Sequence, residues 1–333
     1  MQKRTYITAS LTILLVLGMS VMGFAQRKTG LNGATFLKIG VGARQIALGA
    51  AATTLQNGGP DMMFWNPAGI AGTEGTSIAL NHNRWLLEMD HNAFAVTHSL
   101  GEAGVIGVGL IHIGLGDIVA DRDVAPTADL EPRQADKATS STFSFYDMAV
   151  NVSWARQFSD KLALGASIKM IREKIDDQDA SSIAGDFGVT YNVGWRGLVF
   201  GAAMTNLGGD LTYYQSGAPI PLTFSIGASV DLAKQENSVV VGMLDATKRQ
   251  DSEQMFFGAL EWTILDQFQL RGGYKFGYAG SKDNFEVNTT DEGLSFGGGL
   301  NFDWGGSNLQ LDYAFTEFNV LDNTHRFSLS LNF

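Results

Sequence analysis

Residues 325–333 read HRFSLSLNF, the most regular stretch of the chain. Aromatic or aliphatic residues occupy every second position from 327 to 333, and Ser, Ser and Asn stand between them. Successive side chains of a β-strand point to opposite faces, so this spacing gives one apolar and one polar face. The pattern predicts a strand whose apolar face carries Phe327, Leu329, Leu331 and Phe333.

The same alternation recurs from Thr76 onward, for example at Leu309, Leu311 and Tyr313, with Gln310 and Asp312 between them. We predict fourteen strands, at about 76–84, 91–99, 104–113, 143–158, 162–172, 183–192, 197–206, 221–232, 238–246, 254–264, 267–277, 294–303, 308–316 and 325–333. All six prolines lie outside the interiors of these strands or at a strand start. Proline cannot donate to a strand ladder, so its placement supports the assignment.

The connections between the predicted strands alternate in length. Short ones fall near 101–103, 159–161, 193–196, 235–237 and 304–307, and long ones near 114–142, 173–182, 207–220, 278–293 and 317–324. Short turns at one end and longer loops at the other are typical of outer-membrane barrels. A soluble β-sandwich is the alternative, but fourteen strands are many for one sandwich. We therefore predict an all-β, 14-stranded antiparallel transmembrane β-barrel in a bacterial outer membrane, with both termini in the periplasm.

The N-terminus has the pattern of a secretion signal. Lys3 and Arg4 precede an apolar run, and small residues at Gly23 and Ala25 fit cleavage after Ala25. An uncleaved membrane anchor is the alternative. The expected organisation is a signal peptide at 1–25, a plug segment at 26–75 and the barrel at 76–333.

A 14-stranded barrel, roughly 28 Å wide, is too wide for its own side chains to fill. Residues 26–75 do not alternate, and 45–48 and 61–65 look like short helical turns, the second opened by Pro60 and ended by Pro67. We expect this segment to fold into the lumen as a plug; a periplasmic tail is the alternative. Within it, Trp65, Asn66, Pro67 and Gly69 form a turn that we expect to fasten the plug to the inner wall.

Composition excludes several classes of function. The 333 residues contain no Cys and carry a net charge of −11, which argues against thiol chemistry, Cys-ligated metals and nucleic-acid binding. The five histidines are scattered, and no hydrolase or metalloenzyme motif is present. We therefore predict no enzyme, no cofactor and no metal site. The lumenal cations Lys169, Arg271 and Lys275 are expected to form structural ion pairs, for example with acidic residues of the plug; lining a path through the lumen is the alternative.

Two stretches resemble the PorV/PorQ family. Residues 33–51 read GATFLKIGVGARQIALGAA, and residues 65–70 read WNPAGI, a pattern shared more loosely with FadL-like transporters of hydrophobic compounds. Residues 81–86, NHNRWL, look like the family's first strand. The resemblance implies a FadL-like barrel with an N-terminal plug. It also implies a role in type IX secretion, with a translocon or cargo proteins that carry a C-terminal signal as partners. FadL-like passive transport of hydrophobic small molecules is the alternative function.

Two further interactions are expected. The strand at 325–333 resembles the signal that the barrel-assembly machinery reads, through Phe327, Leu329, Leu331 and Phe333. The long loops contain Tyr213, Tyr214 and Phe318, and we expect these apolar and aromatic side chains to bind a secretion partner. The alternative is that the loops simply cap the mouth of the barrel.

Overall fold

The computed structural model describes residues 32–56, 58–119, 142–213, 216–252, 254–276, 292–318 and 322–333. The predicted signal peptide therefore lies outside the described residues. The strands are β1 (Thr76–Arg84), β2 (Asp90–Ser99), β3 (Val105–Val119), β4 (Thr142–Ser159), β5 (Leu162–Ile175), β6 (Gln178–Asn192), β7 (Val199–Gly208), β8 (Leu211–Tyr213), β9 (Ser216–Ala218), β10 (Thr223–Gln235), β11 (Ser238–Arg249), β12 (Gln254–Ile264), β13 (Phe268–Phe276), β14 (Glu292–Trp304), β15 (Ser307–Phe318) and β16 (Thr324–Asn332).

All strands except β8 and β9 form one closed antiparallel barrel of fourteen strands, in which each strand pairs with its neighbours along the chain. The barrel closes where β1 pairs with β16, with Ser77 opposite Asn332. Backbone hydrogen bonds between Thr76 and Phe333 continue this seam to the end of the chain. The predicted fold class is thus confirmed. The short hairpin of β8 and β9 in the connection from β7 to β10 was not predicted.

The two ends of the barrel differ. At the end that carries Thr76 and Phe333, here called the turn end, the connections are two to six residues long. The opposite end, here called the loop end, carries the long connections between β3 and β4, β7 and β10, and β13 and β14.

The predicted long loop at 173–182 is wrong. β5 and β6 continue to a two-residue turn at Asp176 and Asp177, where Asp176 has a φ of 55°. The acidic composition of this stretch suggested a loop. Exposed charges are compatible with strands, however, where opposite charges can pair, as Arg172 does with Asp179 at 3.1 Å.

The outer wall is apolar and the inner wall is polar. On β15, Leu311 has 42% of its surface exposed, and the adjacent Asp312 is buried inside the barrel. On β16, Phe327 and Leu329 are exposed on the outside, and Ser328 is buried on the inside. The alternation in the sequence therefore predicted the facing of these strands correctly.

This facing predicts an asymmetric response to charge on β15. Leu311→Arg should lower the free energy of unfolding by about 2–4 kcal/mol, because it places a cation on the lipid-facing side of the strand. Gln310→Arg should cost much less, because Gln310 lies on the inner face and bonds to Asp312. Urea titrations of the barrel refolded into lipid vesicles measure both changes. Equal costs would contradict the assigned facing.

The segment before β1 contains the helices. They are α1 (Ala43–Ala47) and 3-10 helices at Thr35–Lys38, Pro60–Phe64 and Pro67–Ile70, with two further 3-10 turns at Leu86–Glu88 and Gly101–Ala103 in barrel connections. Pro60 opens its helix as predicted, and Pro67 begins the next helix, where its missing N–H and fixed φ are suited to the first position. Across the described residues, no helix is both long and apolar enough to cross a membrane.

Candidate functional site

The segment before β1 fills the lumen as a plug. Ala47, Leu48, Ala51, Met62 and Met63 are almost fully buried and pack against small and apolar residues of the inner wall. α1 lies against β14 and β15, and the helix at Pro67–Ile70 lies against β5 and β6.

Asn66 is the residue of the Trp65–Gly69 turn that contacts the wall most directly. It is fully buried, and its Nδ2 donates to the carbonyls of Thr53 at 2.7 Å and of Val189 on β6 at 3.2 Å. Its Oδ1 accepts from the N–H of Ala68 at 3.1 Å and so caps the helix that follows. One amide therefore joins two parts of the plug and one strand of the wall.

Trp65 and Gly69 contact other parts of the plug. Trp65 is only partly buried, and its Nε1 donates to the carbonyl of Val41 at 2.8 Å, so it joins two parts of the plug to each other. Gly69 is buried in the 3-10 helix at Pro67–Ile70. A Cβ there would lie 2.7 Å from the carbonyl oxygen of Leu55.

The wall makes room for this turn with two glycines. Gly165 on β5 and Gly188 on β6 face each other across the strand pair. A Cβ on Gly165 would lie 2.5 Å from the backbone N of Ala68, and a Cβ on Gly188 would lie 2.9 Å from Cδ of Pro67. The plug backbone therefore approaches the wall where side chains are absent, which explains why two of the chain's 40 glycines stand here.

A buried ionic network holds α1 to the opposite wall. Arg44 donates from Nε and Nη2 to both carboxylate oxygens of Glu261 on β12, at 2.9 and 2.8 Å. Arg271 on β13 lies 2.6 Å from Glu261 and also contacts Asp312 on β15. The expected pairing of wall cations with plug acids is thus wrong for Arg271. The acids are on the wall, and the plug supplies a cation.

Lys169 also pairs within the wall. Its Nζ lies 2.9 Å from Asp186 and donates to Asn206 at 2.7 Å. Lys275 lies over the ring of Phe257 at 5.9 Å. Burial inside the barrel makes such pairing necessary, because an isolated buried charge is strongly unfavourable.

Asp61 of the plug is buried and accepts a hydrogen bond from Asn81 of β1 at 2.8 Å. Burial raises the pKa of the Asp61 carboxyl to about 7, and the hydrogen bond from Asn81 opposes this shift. A raised pKa in the folded state favours the protonated carboxyl. Its stabilising effect is therefore complete below about pH 4 and is lost as the pH rises through 7.

We expect Asp61→Asn to raise the free energy of unfolding by about 2 kcal/mol at pH 8 and to lower it by about 2 kcal/mol at pH 4, because the amide must find an acceptor at either pH. The full penalty for ionising the buried carboxyl is larger, but the new amide N–H needs an acceptor, which offsets part of the gain. Urea titrations of both proteins at the two pH values measure the difference. A gain of the same size at pH 4 would show that ionisation is not its cause.

The first described residues lie at the loop end of the lumen. The N–H of Gly33 donates to the carbonyl of Pro219, and the N–H of Ala34 donates to Glu173 on β5 at 2.7 Å. Lys38 forms an ion pair with Asp251 at 2.7 Å. These bonds hold the segment between the wall and the connection that contains β8 and β9.

Two cavities flank this segment. The first, here called the vestibule, has a volume of about 430 Å³ and lies at the loop end. Most of its lining is apolar, and its polar lining includes Asp147 on β4; the apolar residues are Phe36, Ile39, Trp85, Met89, Ile113 and Phe145. The second, here called the inner cavity, has about 80 Å³ and lies deeper in the lumen. Phe36, Lys38 and Arg249 line both and separate them.

The inner cavity has two unlike sides. Its apolar side includes Val41 and Phe64 of the plug and Ile111 of β3. Its polar side includes Lys169 and Asn206, which bond to each other, and Ser225 on β10. The cavity is therefore amphipathic and separated from the vestibule by the plug.

The residues predicted to bind a partner are less exposed than the prediction assumed. Phe318 is 5% exposed and packs edge-on against Trp85, with ring centroids 5.3 Å apart. Tyr213 is half-buried, and its hydroxyl donates to Glu173 at 2.5 Å. Burial and this bond raise the pKa of the Tyr213 phenol. Tyr214 lies outside the described residues. The assumption of solvent-facing side chains is wrong for Phe318, because the loop-end residues pack on one another.

The predicted assembly residues lie on the terminal strand as expected from their spacing. Phe327 and Leu329 face outward, Leu331 pairs with Ile78 across the closing seam, and Phe333 is exposed after the last strand. Their role in assembly stays a prediction. Within the described residues, no group of three or more His, Asp or Glu could hold a metal ion.

Sequence reasoning missed Trp85, Lys38, Glu173 and Arg326, all of which lie at or near the vestibule. One feature of the sequence could have identified Arg326 as a candidate, because it is a charged residue at an inward-facing position of an alternating strand. The pairing partners of these residues lie far away in the sequence, so alternation alone could not identify them.

Comparisons with solved structures find the same fold. The toluene transporter TodX of Pseudomonas putida superimposes with a TM-score of 0.57 at 15% identity, over 88% of this chain and 96% of TodX. The toluene transporter TbuX of Ralstonia pickettii gives 0.56 at 14% identity, over 88% and 97%. A FadL homologue of Pseudomonas aeruginosa gives 0.54 at 10% identity, over 87% and 97%. The chain therefore has the fold of the FadL-type barrels.

No protein-family profile matches this sequence, and no curated protein matches it either. The resemblance to the PorV/PorQ family accordingly rests only on the residues quoted for it at 33–51, 65–70 and 81–86.

Proposed function

We propose that the protein is an outer-membrane channel through which small hydrophobic molecules enter passively. Three observations support this function. The outer wall of the closed barrel is apolar, the lumen is occupied by a plug, and the similar solved structures include toluene transporters. The function involves no covalent chemistry. The turn end, where the two chain termini of the barrel meet, would face the periplasm, as expected from the even strand count.

The vestibule is the observation that carries this proposal. Its volume of about 430 Å³ lies within the range of ligand pockets, roughly 300–1,000 Å³, and most of its lining is apolar. A hydrophobic solute would enter the vestibule from the loop end and bind next to Phe36 and Lys38. Passage beyond this point requires movement of the plug, because the inner cavity is smaller than the ~150 Å³ that accommodates benzene.

Uptake into proteoliposomes tests the proposal. Vesicles that contain the barrel should take up toluene faster than protein-free vesicles, and glucose no faster. Ile113→Trp should reduce toluene uptake, because Ile113 lines the vestibule. Ile106→Trp is the matched control, since it makes the same change on the same strand but on the outer face. Toluene uptake equal to that of protein-free vesicles would contradict the function.

Protein secretion or surface attachment is the second candidate. The small inner cavity suits a sealed lumen, as expected of a secretion partner, and Leu87 at the loop end is 82% exposed. The partner would be a translocon subunit or a cargo protein with a C-terminal signal, and insertion would use the barrel-assembly machinery.

A pull-down from outer membranes tests this candidate. Two variants should reduce recovery of such a partner without changing the amount of barrel. One is Leu87→Asp, and the other combines Tyr213→Ala with Tyr214→Ala. If recovery is unchanged and toluene uptake falls in the Tyr213 and Tyr214 variant, the channel function replaces this one.

A further inference from the structure

A groove of about 890 Å³ crosses the outer wall of the barrel, over the seam where β1 pairs with β16. It follows two neighbouring rows of cross-strand pairs that extend from β13 to β3. The first, here called the apolar row, includes in this order Leu300, Leu311, Leu329, Leu80 and Phe94. All five side chains are exposed on the lipid-facing side. The groove is therefore continuous with the surface that contacts the membrane.

The second row changes from apolar to polar along its length. From β13 to β3 it consists of Leu270, Gly298, Tyr313, Phe327, His82, Asn92 and His112. Leu270 lies two residues after the start of β13, near the turn end, whereas His82 lies two residues before the end of β1, near the loop end. The groove therefore runs obliquely, with an apolar end deep in the membrane and a polar end near the loop end.

The polar end contains a hydrogen-bonded pair. His82 and Asn92 are directly opposite each other, and Nδ1 of His82 lies 2.7 Å from Oδ1 of Asn92. An amide oxygen only accepts, so Nδ1 donates, which makes Nε2 of the neutral ring an acceptor and leaves two donors on Nδ2 of Asn92. Among the described residues, neither Nε2 of His82 nor Nδ2 of Asn92 has a hydrogen-bond partner. The pair thus presents an acceptor and a donor side by side.

The location of this pair indicates that its partner is a lipid. Beside Phe327 and Leu80, the pair lies at the edge of the hydrocarbon layer, where unpaired polar groups are unfavourable. An acceptor next to a donor complements an amide or a hydroxyl, which both donate and accept. The ester carbonyls of phospholipids only accept. The amide-linked 3-hydroxyacyl chains of lipid A, in the outer leaflet, supply both N–H and O–H donors together with a C=O acceptor.

The charged residues next to the pair do not favour contact with a phosphate. Arg84 lies two residues beyond His82, about 5 Å closer to the membrane surface, and forms an ion pair with Glu88 at 3.0 Å. Asp90 is directly opposite Arg84 on β2. Two carboxylates beside one guanidinium leave no excess of positive charge. The group recognised is therefore the acyl amide, which lies beneath the phosphorylated sugars of lipid A.

We propose that the groove binds one lipid A molecule of the outer leaflet. Its amide-linked 3-hydroxyacyl group bonds to His82 and Asn92, and its acyl chains follow the groove toward Leu270. His112, which stacks on Tyr146 with ring centroids 6.1 Å apart, bounds the polar end. The inference goes beyond the channel function and does not depend on it. It rests on the outer-membrane location and on the outward orientation of the loop end.

Native mass spectrometry of the refolded barrel in detergent, titrated with lipid A, tests the site. Phosphatidylglycerol is an anionic comparison with ester-linked chains, and monophosphoryl lipid A keeps the amides but lacks one phosphate. We expect one lipid A molecule per barrel, bound at least about tenfold more tightly than phosphatidylglycerol, roughly 1.4 kcal/mol. Monophosphoryl lipid A should bind as tightly as lipid A.

Two variants test the polar end. His82→Leu combined with Asn92→Leu should lower the affinity for lipid A at least about tenfold and keep the face apolar. His98→Leu is the matched control, because His98 bonds to Thr76 at 2.8 Å on the same face of the same two strands, but at the turn end. It should bind lipid A like the wild type. If the double variant does not fold, Asn92→Leu alone replaces it and should also lose affinity.

Unchanged affinity for lipid A in the double variant, or equal binding of phosphatidylglycerol by the wild type, overturns the proposal. Loss of binding with monophosphoryl lipid A overturns recognition through the amide. A dimer that forms without lipid and is lost in the double variant would identify a second copy of the chain as the occupant, and would also overturn the proposal. Toluene uptake reports separately on the channel function, because the groove lies outside the lumen.

Discussion

Arg271→Met is expected to lower the free energy of unfolding of the barrel by about 3–5 kcal/mol. Removing one partner of a buried ion pair leaves a charge without compensation, and this is the usual cost. Arg271 contacts both Glu261 and Asp312, and its side chain is almost fully buried. Glu261 keeps its two bonds from Arg44, whereas Asp312 keeps, among the residues that the structure describes, only the bond from Gln310. Urea titrations in lipid vesicles measure the loss.

Two further variants show whether the network is responsible. Arg156→Met removes an exposed Arg near the turn end that contacts Phe158, and it should change stability little. Combining Arg271→Met with Asp312→Leu removes the orphaned carboxylate and should recover much of the loss, because coupled residues are not additive. A loss in Arg271→Met no larger than in Arg156→Met would mean that the network does not stabilise the barrel.

The barrel could be predicted from sequence because the alternation of apolar and polar residues that defines each strand is visible within a few consecutive residues. A strand that separates lipid from a polar lumen must alternate, and residues 325–333 do so without interruption. The prediction failed at 173–182, where the strands extend to a two-residue turn and alternation is masked by charged residues on both faces. In this stretch the spacing of apolar residues no longer indicates that the backbone is a β-strand.

The contacts inside the lumen could not be predicted, because they depend on register. Gly165 and Gly188 are unremarkable in sequence and become a contact surface only when β5 pairs with β6. Likewise, Arg326 comes next to Asn83 only through the seam that closes the barrel. The turn at 65–69 was recognisable from its residue types, but its partner strands were not.

Asn66→Ala is expected to loosen the plug and raise the conductance of the barrel in planar bilayers. The substitution removes both donors to the carbonyls of Thr53 and Val189 and the acceptor for the N–H of Ala68. Each buried polar group left without a partner costs about 1–3 kcal/mol, so three such groups destabilise the plug and its contact with β6 by roughly 3–9 kcal/mol. The strands themselves lose no bond that closes the barrel, which should stay heat-stable and inserted.

The control is Asn192→Ala, which removes an Asn whose side chain, within the described residues, bonds to the N–H of Gly194 in an exposed turn. Its conductance should equal that of the wild type. Trp65→Ala should give an intermediate rise, because the Trp65 ring bonds to Val41 of the plug and has no hydrogen bond to the described part of the wall. If Asn66→Ala and Trp65→Ala both stay closed and protease-resistant, the plug is held by the buried ionic network around Arg44 and by packing. The turn at 65–69 would then be a fold element of the plug without a fastening role.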